Sequence, residues 1–281
     1  MRDRAATERF WKEAFGAREM AHPGPRAIAF ITFLNLGPGE GSIMISPPGP
    51  FEGMAVGDPG RWRREVVPVT PDLPPAFGVH WVGVRTGSLT VAVSRLKAAG
   101  IRAREGVRLP AEPLARAALV LDPDDNLVAV VERAGATGFG FDHLQLLVGS
   151  VDENERFFRD VLAGEVGDRR SGTTVMRVGG AAIVLSEPEG LGLRRPDVQP
   201  RDPSKFRYGI DHISFLYADA RTAAESARAK GYRFPLEPRV LTYFGEPTVY
   251  TFGFTLSPDG LQCEMLTEEG RRGPRTRLAG P

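Results

Sequence analysis

Hydrophobic positions along the chain follow two periods that alternate in a fixed order. Stretches with every second residue apolar predict strands, and apolar residues three and four apart predict the helices between them. The order is clearest near the end of the chain. Tyr208-Gly209-Ile210-Asp211-His212-Ile213-Ser214-Phe215-Leu216 predicts a strand. Asp219 can cap a helix whose small-residue face is Ala223, Ala224 and Ala227, and Gly231 ends it. Strands over 239–243, 248–256 and 261–267 complete the unit.

The same order recurs upstream. In 78–131 a strand at 78–84 precedes a helix capped by Ser88, with Leu89, Val93 and Leu96 on one face and a stop at Gly100. Strands at 117–121 and 127–131 flank Asp122-Pro123-Asp124-Asp125-Asn126, which echoes Ser257-Pro258-Asp259-Gly260. A third unit opens with a strand at 141–147. Asp152 and Glu155 are read as a capping-box pair before Phe157, Phe158, Val161 and Leu162, and Gly164 closes the helix. A hairpin at 174–178 and 181–185 turns on Gly179-Gly180. The first unit begins in mid-repeat: Phe10-Trp11-Lys12-Glu13-Ala14-Phe15 matches Phe157-Phe158-Arg159-Asp160-Val161-Leu162, and 28–34 and 42–46 match the hairpin. Either the start lies upstream, or this unit lacks its first strand and leaves a sheet edge open.

The chain is therefore read as tandem βαβββ modules of the α+β class, paired into two lobes. The first, 1–134, is expected to be a metal-free scaffold; the second, 139–267, carries the site, and 268–281 is a polar, Arg-rich tail expected to be disordered. The Pro-rich stretches 47–59 and 68–75 connect modules one and two, and 190–205 connects modules three and four. A net charge of +1 offers no global field for nucleic acid. A lone cysteine, Cys263, excludes an internal disulfide and fits a reducing compartment. No apolar run reaches membrane-spanning length and no signal-peptide core is present, so a cytoplasmic protein is expected.

Only four histidines occur, and the chemistry turns on them: His22, His80, His143 and His212. His143 and His212 lie in matching strands, each followed two residues on by a polar side chain, Gln145 and Ser214, on the same face. Glu264, with Gln262, lies in the strand after the Pro-Asp-Gly turn. A carboxylate in an apolar strand needs a positive partner. The reading is that His143, His212 and Glu264 converge on one divalent metal ion. Two imidazoles and a carboxylate leave coordination positions open, and imidazole must be neutral to bind, so metal affinity should fall at acid pH. His80 is taken to sit where His212 sits, but Ala129 stands where Glu264 would, so His80 is read as packed. The bland alternatives are core or surface histidines and a solvated edge glutamate.

Asp211-His212-Ile213-Ser214-Phe215 and Ser257-Pro258-Asp259-Gly260-Leu261-Gln262-Cys263-Glu264 resemble the vicinal oxygen chelate superfamily of glyoxalases, bleomycin-resistance proteins and extradiol dioxygenases. The resemblance spans nearly all of 7–267 and implies the glyoxalase/bleomycin resistance/dihydroxybiphenyl dioxygenase-like fold, a cupped sheet with the metal inside. It implies Fe(II) or Mn(II) and dioxygenase-like chemistry on a small substrate with vicinal oxygens. The alternatives are a glyoxalase-like lyase or isomerase, with Tyr250 or Gln262 near the metal as catalytic groups, and a non-catalytic binding or resistance protein. Gln145, Ser214 and Tyr243 would face the substrate. Against ring cleavage, Phe254 stands where the extradiol signature has a Tyr, and no fifth histidine exists. By analogy with the family a homodimer is possible; neither nucleic acid nor membrane is expected as a partner.

Overall fold

A computed structural model describes residues 3–19, 32–36, 42–45, 65–67, 75–112, 114–179, 181–201, 205–207, 210, 212–242 and 249–269. Module one holds α1 (Arg4–Arg9), a π-helical turn over Phe10–Ala14, and strands β1 (Arg18–Glu19), β2 (Thr32–Asn35) and β3 (Ser42–Ile45). The helix is capped by Asp3, which accepts from the Ala6 amide at 3.0 Å. Strand β4 (Glu65–Val67) follows.

Module two runs β5 (Gly78–Thr86), α2 (Leu89–Ala98), β6 (Arg104–Glu105), β7 (Ala117–Leu121) and β8 (Leu127–Glu132). Ser88 caps α2 as expected. Module three runs β9 (Gly140–Leu147), α3 (Val151–Leu162), β10 (Glu165–Arg170), β11 (Thr173–Val178) and β12 (Ala181–Ser186). The expected capping box is not formed here. Ser150 is the cap, while Asp152 and Glu155 both reach Arg169 across the surface. A serine one residue before the helix offers a shorter acceptor to the free amides than either carboxylate. The helix also ends one residue early, at Ala163 with φ 49°.

Module four follows β13 (Lys205–Arg207) with β14 (His212–Leu216), α4 (Ala220–Ala229), β15 (Leu236–Thr242), β16 (Val249–Leu256) and β17 (Gln262–Glu269). Asp219 caps α4 through both the Arg221 and Thr222 amides. The last strand runs to Glu269, so Glu268 and Glu269 belong to the sheet and not to a tail. The Pro-rich stretches lie almost wholly outside the described residues, as do His22, Tyr243 and 270–281.

Two large cores each span two modules. One core joins Phe10, Trp11 and Phe15 of module one to α2 and the helix-facing side of β5, β7 and β8. Another joins α3 and α4 to one face of β9, β11, β12, β14 and β17. The sheets are grouped differently. One eight-stranded sheet has the order β10-β11-β12-β9-β5-β8-β7-β6, so module three continues the sheet of module two. Among the described residues, the strands of module four form a separate sheet in the order β14-β17-β16-β15. Within module two, β5 pairs on one side with β8, which leaves its other edge open. The short connection after β8 returns the chain antiparallel to β5, where β9 fills that edge.

Candidate metal centre

Register decides which side chains share a site. In module four, β14 lies parallel to β17 with His212 beside Gln262 and Ser214 beside Glu264. Ile213 and Phe215 point the other way, into the core with Cys263 and Met265. This parity is the one the alternating sequence predicts. The His212 Nε2 and Glu264 Oε2 atoms are 3.8 Å apart, with side chains 13% and 17% exposed. The Ser214 hydroxyl donates to the same carboxylate oxygen. Phe254, across β16, meets the His212 ring edge-on at 5.2 Å between centroids. Gln262 is 3% exposed beside the imidazole. An imidazole nitrogen and a carboxylate oxygen this close, both partly open to solvent, fit two ligands of one divalent ion.

His143 is not with them. It lies in the eight-stranded sheet, and both its ring nitrogens are already bonded. Trp81 Nε1 donates to His143 Nε2 at 2.8 Å, and His143 Nδ1 faces Asp142 Oδ2 at 2.7 Å. An indole can only donate, so the imidazole proton sits on Nδ1 and is given to Asp142. Arg133 grips Asp142 from its other side through Nε and Nη2, both at 2.7 Å, and also pairs with Glu112. Burial by itself would raise the Asp142 carboxyl, but its bonds from Arg133 and His143 outweigh that and hold it well below the usual carboxylate range. Among the described residues no three His, Cys, Asp or Glu side chains gather as a metal cluster. Of the three residues expected to converge, the structure brings together His212 and Glu264 but not His143, because β9 pairs with β5 and not with β14.

The same register identifies the corresponding positions in the other sheet. Trp81 is opposite Leu127 and Gly83 opposite Ala129 in β5 and β8, so Trp81 and not His80 occupies the place of His212. The pairing of β5 with β9 slips between Val79 and Trp81, leaving His80 as an extra residue that shifts strand parity by one. In β9 and β12, His143 is opposite Ala182 and Gln145 opposite Val184, so Val184 stands where Glu264 would. At the four corresponding places this sheet presents Trp81, Ala129, His143 and Val184. Here Trp81 and His143 bond to each other between the apolar Ala129 and Val184. Gln145 therefore lies with His143, not beside Ser214. Its amide donates to Leu146 O at 3.0 Å and Val184 O at 3.1 Å.

Of the remaining candidates, Tyr250 lies on β16 opposite Leu241, and its side chain is outside what the structure describes. Cys263 is fully buried on the core side, where burial pushes its thiol up. Sequence reasoning missed Trp81, Asp142 and Arg133. The Asp142-His143 pair and a tryptophan next to His80 were the available signals.

This layout of βαβββ modules, with the first strands of modules two and three paired edge to edge and helices packed behind the sheets, is the glyoxalase fold. Residues 140–264 match the profile of the Glyoxalase/Bleomycin resistance protein/Dioxygenase superfamily. Among solved structures, glyoxalase I from Zea mays is similar over 94% of this chain and 88% of its own, with a TM-score of 0.61 at 13% identity. A Bacillus subtilis protein provisionally called a dioxygenase matches over 96% of this chain and 82% of its own, with a TM-score of 0.60 at 14% identity. No curated protein matches the sequence. No helix among the described residues is long and apolar enough to cross a membrane.

Proposed function

We propose that the chain is a metal-dependent enzyme acting on a small molecule that presents two neighbouring oxygens, with His212 and Glu264 as protein ligands. The observation that carries this is the 3.8 Å approach of His212 Nε2 to Glu264 Oε2 on one partly open sheet face. A divalent ion held there, Fe(II) or Mn(II), would supply Lewis acidity to the substrate oxygens. Glu264 brings the negative charge that offsets the ion. Ser214 holds the carboxylate in one orientation by its hydroxyl. Phe254 fixes the plane of the imidazole and keeps water from that side. Gln262, buried beside His212, would orient a bound substrate.

Two reactions fit such a centre. Dioxygenase-like chemistry needs a nearby proton donor, and the ring against His212 belongs to Phe254, which has no proton to give. That observation favours the glyoxalase-like lyase or isomerase reading over ring cleavage. The test is protein prepared without chelators, assayed for metal content and then for oxygen uptake with a catechol panel under added Fe(II). The expected result is bound metal with no oxygen consumed. Stoichiometric oxygen uptake would restore the dioxygenase reading. Tight small-molecule binding with no metal requirement would favour a binding or resistance protein.

A further inference from the structure

The sheet shared by modules two and three contains a cavity of about 50 Å³, lined by Leu109, Ala111, His143, Gln145, Ala182 and Val184, with Glu112, Arg133 and Asp142 at one side. Gln145 is 1% exposed, yet its carbonyl oxygen Oε1 has no hydrogen-bond partner. The amide cannot be turned over to cure this. Its nitrogen already donates to two backbone carbonyls, which a second oxygen could only repel. The cavity therefore presents one buried acceptor that demands a donor.

The other polar groups narrow what that donor is. The guanidinium of Arg133 is spent on Asp142 and Glu112, so no cation is left for an anion. Asp142 already receives Arg133 and His143, and both ring nitrogens of His143 are used, so no ligand set for a metal remains. Bound cations need several open acceptors, and the cavity offers one. A neutral donor of the size of water meets both the volume and the chemistry.

We infer that this cavity is a ligand site for resident water, hydrogen-bonded to Gln145 Oε1 at the place where the matching sheet of module four holds its candidate metal ligands. The site is metal-independent and stands whether or not His212 and Glu264 bind an ion. Its test is a high-resolution crystal structure of the full chain, with and without xenon pressurisation, for the natural protein and for Gln145→Met. The natural protein should show ordered solvent within hydrogen-bonding distance of Gln145 Oε1 and no xenon. Gln145→Met should lose that solvent and admit xenon. A dry cavity in the natural protein, or xenon bound there, overturns the inference. If Gln145→Met fails to fold, the natural protein's density alone decides.

Discussion

Two side chains of module two titrate in opposite senses over one pH range. Burial lowers His80 from 6.5 to about 4. A histidine depressed in the fold stabilises the protein fully above the unfolded value, and that stability is lost as pH falls towards 4. Burial raises Asp122 from 3.8 to about 6, against hydrogen bonds from Asn126 and the Asp124 amide. Its proton is held by the fold, so its contribution is present at low pH and lost as pH rises through 6. In the natural protein the two slopes oppose each other. His80→Phe should unmask stability that declines as pH rises from 4 to 6, and Asp122→Asn stability that declines as pH falls over the same range. Each change should be on the order of 1–2 kcal/mol by denaturant titration. Variants that merely parallel the natural protein would contradict the assignment. Gly83 offers a steric test of the Trp81–His143 bond. A Cβ there would come within 2.4 Å of His143 Nδ1, and the ring is pinned at both nitrogens. Gly83→Ala should cost about 1–3 kcal/mol, and an unchanged melting temperature would show that the ring is free to move.

At the level of elements, much was legible. The alternation in β14 and β17 put Ile213 and Cys263 inward and His212 and Glu264 outward, as the structure has them. Ser88 and Asp219 announced their helices because a short oxygen side chain before an apolar period has few other uses. Strand β10 was not legible, since every residue in it is exposed and no apolar alternation marks it. The parity of β5 was misread because a single extra residue at His80 leaves no sign in composition. The repeated Pro-Asp turns proved to have matching jobs. Asp259 accepts from Asn154 of α3 at 2.7 Å and the Gly149 amide at 3.0 Å, and Asp124 accepts from Thr7 of α1 at 3.0 Å. Asn154 and Thr7 each lie three residues before the paired aromatics of their helices. Each turn thus pins the helix of the preceding module. Asn154→Ala leaves the half-buried Asp259 carboxylate short of a donor, and a loss of about 1–3 kcal/mol in thermal or denaturant unfolding is expected; a loss below the error of the measurement would mean that the turn docks without it.

For the whole molecule, the sequence reveals modules more readily than it reveals which modules share a sheet. Cores follow the apolar faces of helices, which the sequence period marks, and one core joins modules one and two while another joins modules three and four. Sheet partnership depends on backbone edges, which carry no side-chain signature. That is why His143 was grouped with His212 although β9 joins β5. The division of the molecule into a candidate metal face on module four and a tryptophan-locked sheet in modules two and three makes a direct prediction. Metal stoichiometry should be measured in the natural protein and in His212→Ala, Glu264→Ala and His143→Gln, each checked for folding by circular dichroism. Folded His212→Ala and Glu264→Ala should lose the ion while His143→Gln keeps it. Loss of the ion from folded His143→Gln, or its retention without His212 and Glu264, would contradict the placement of the site on module four.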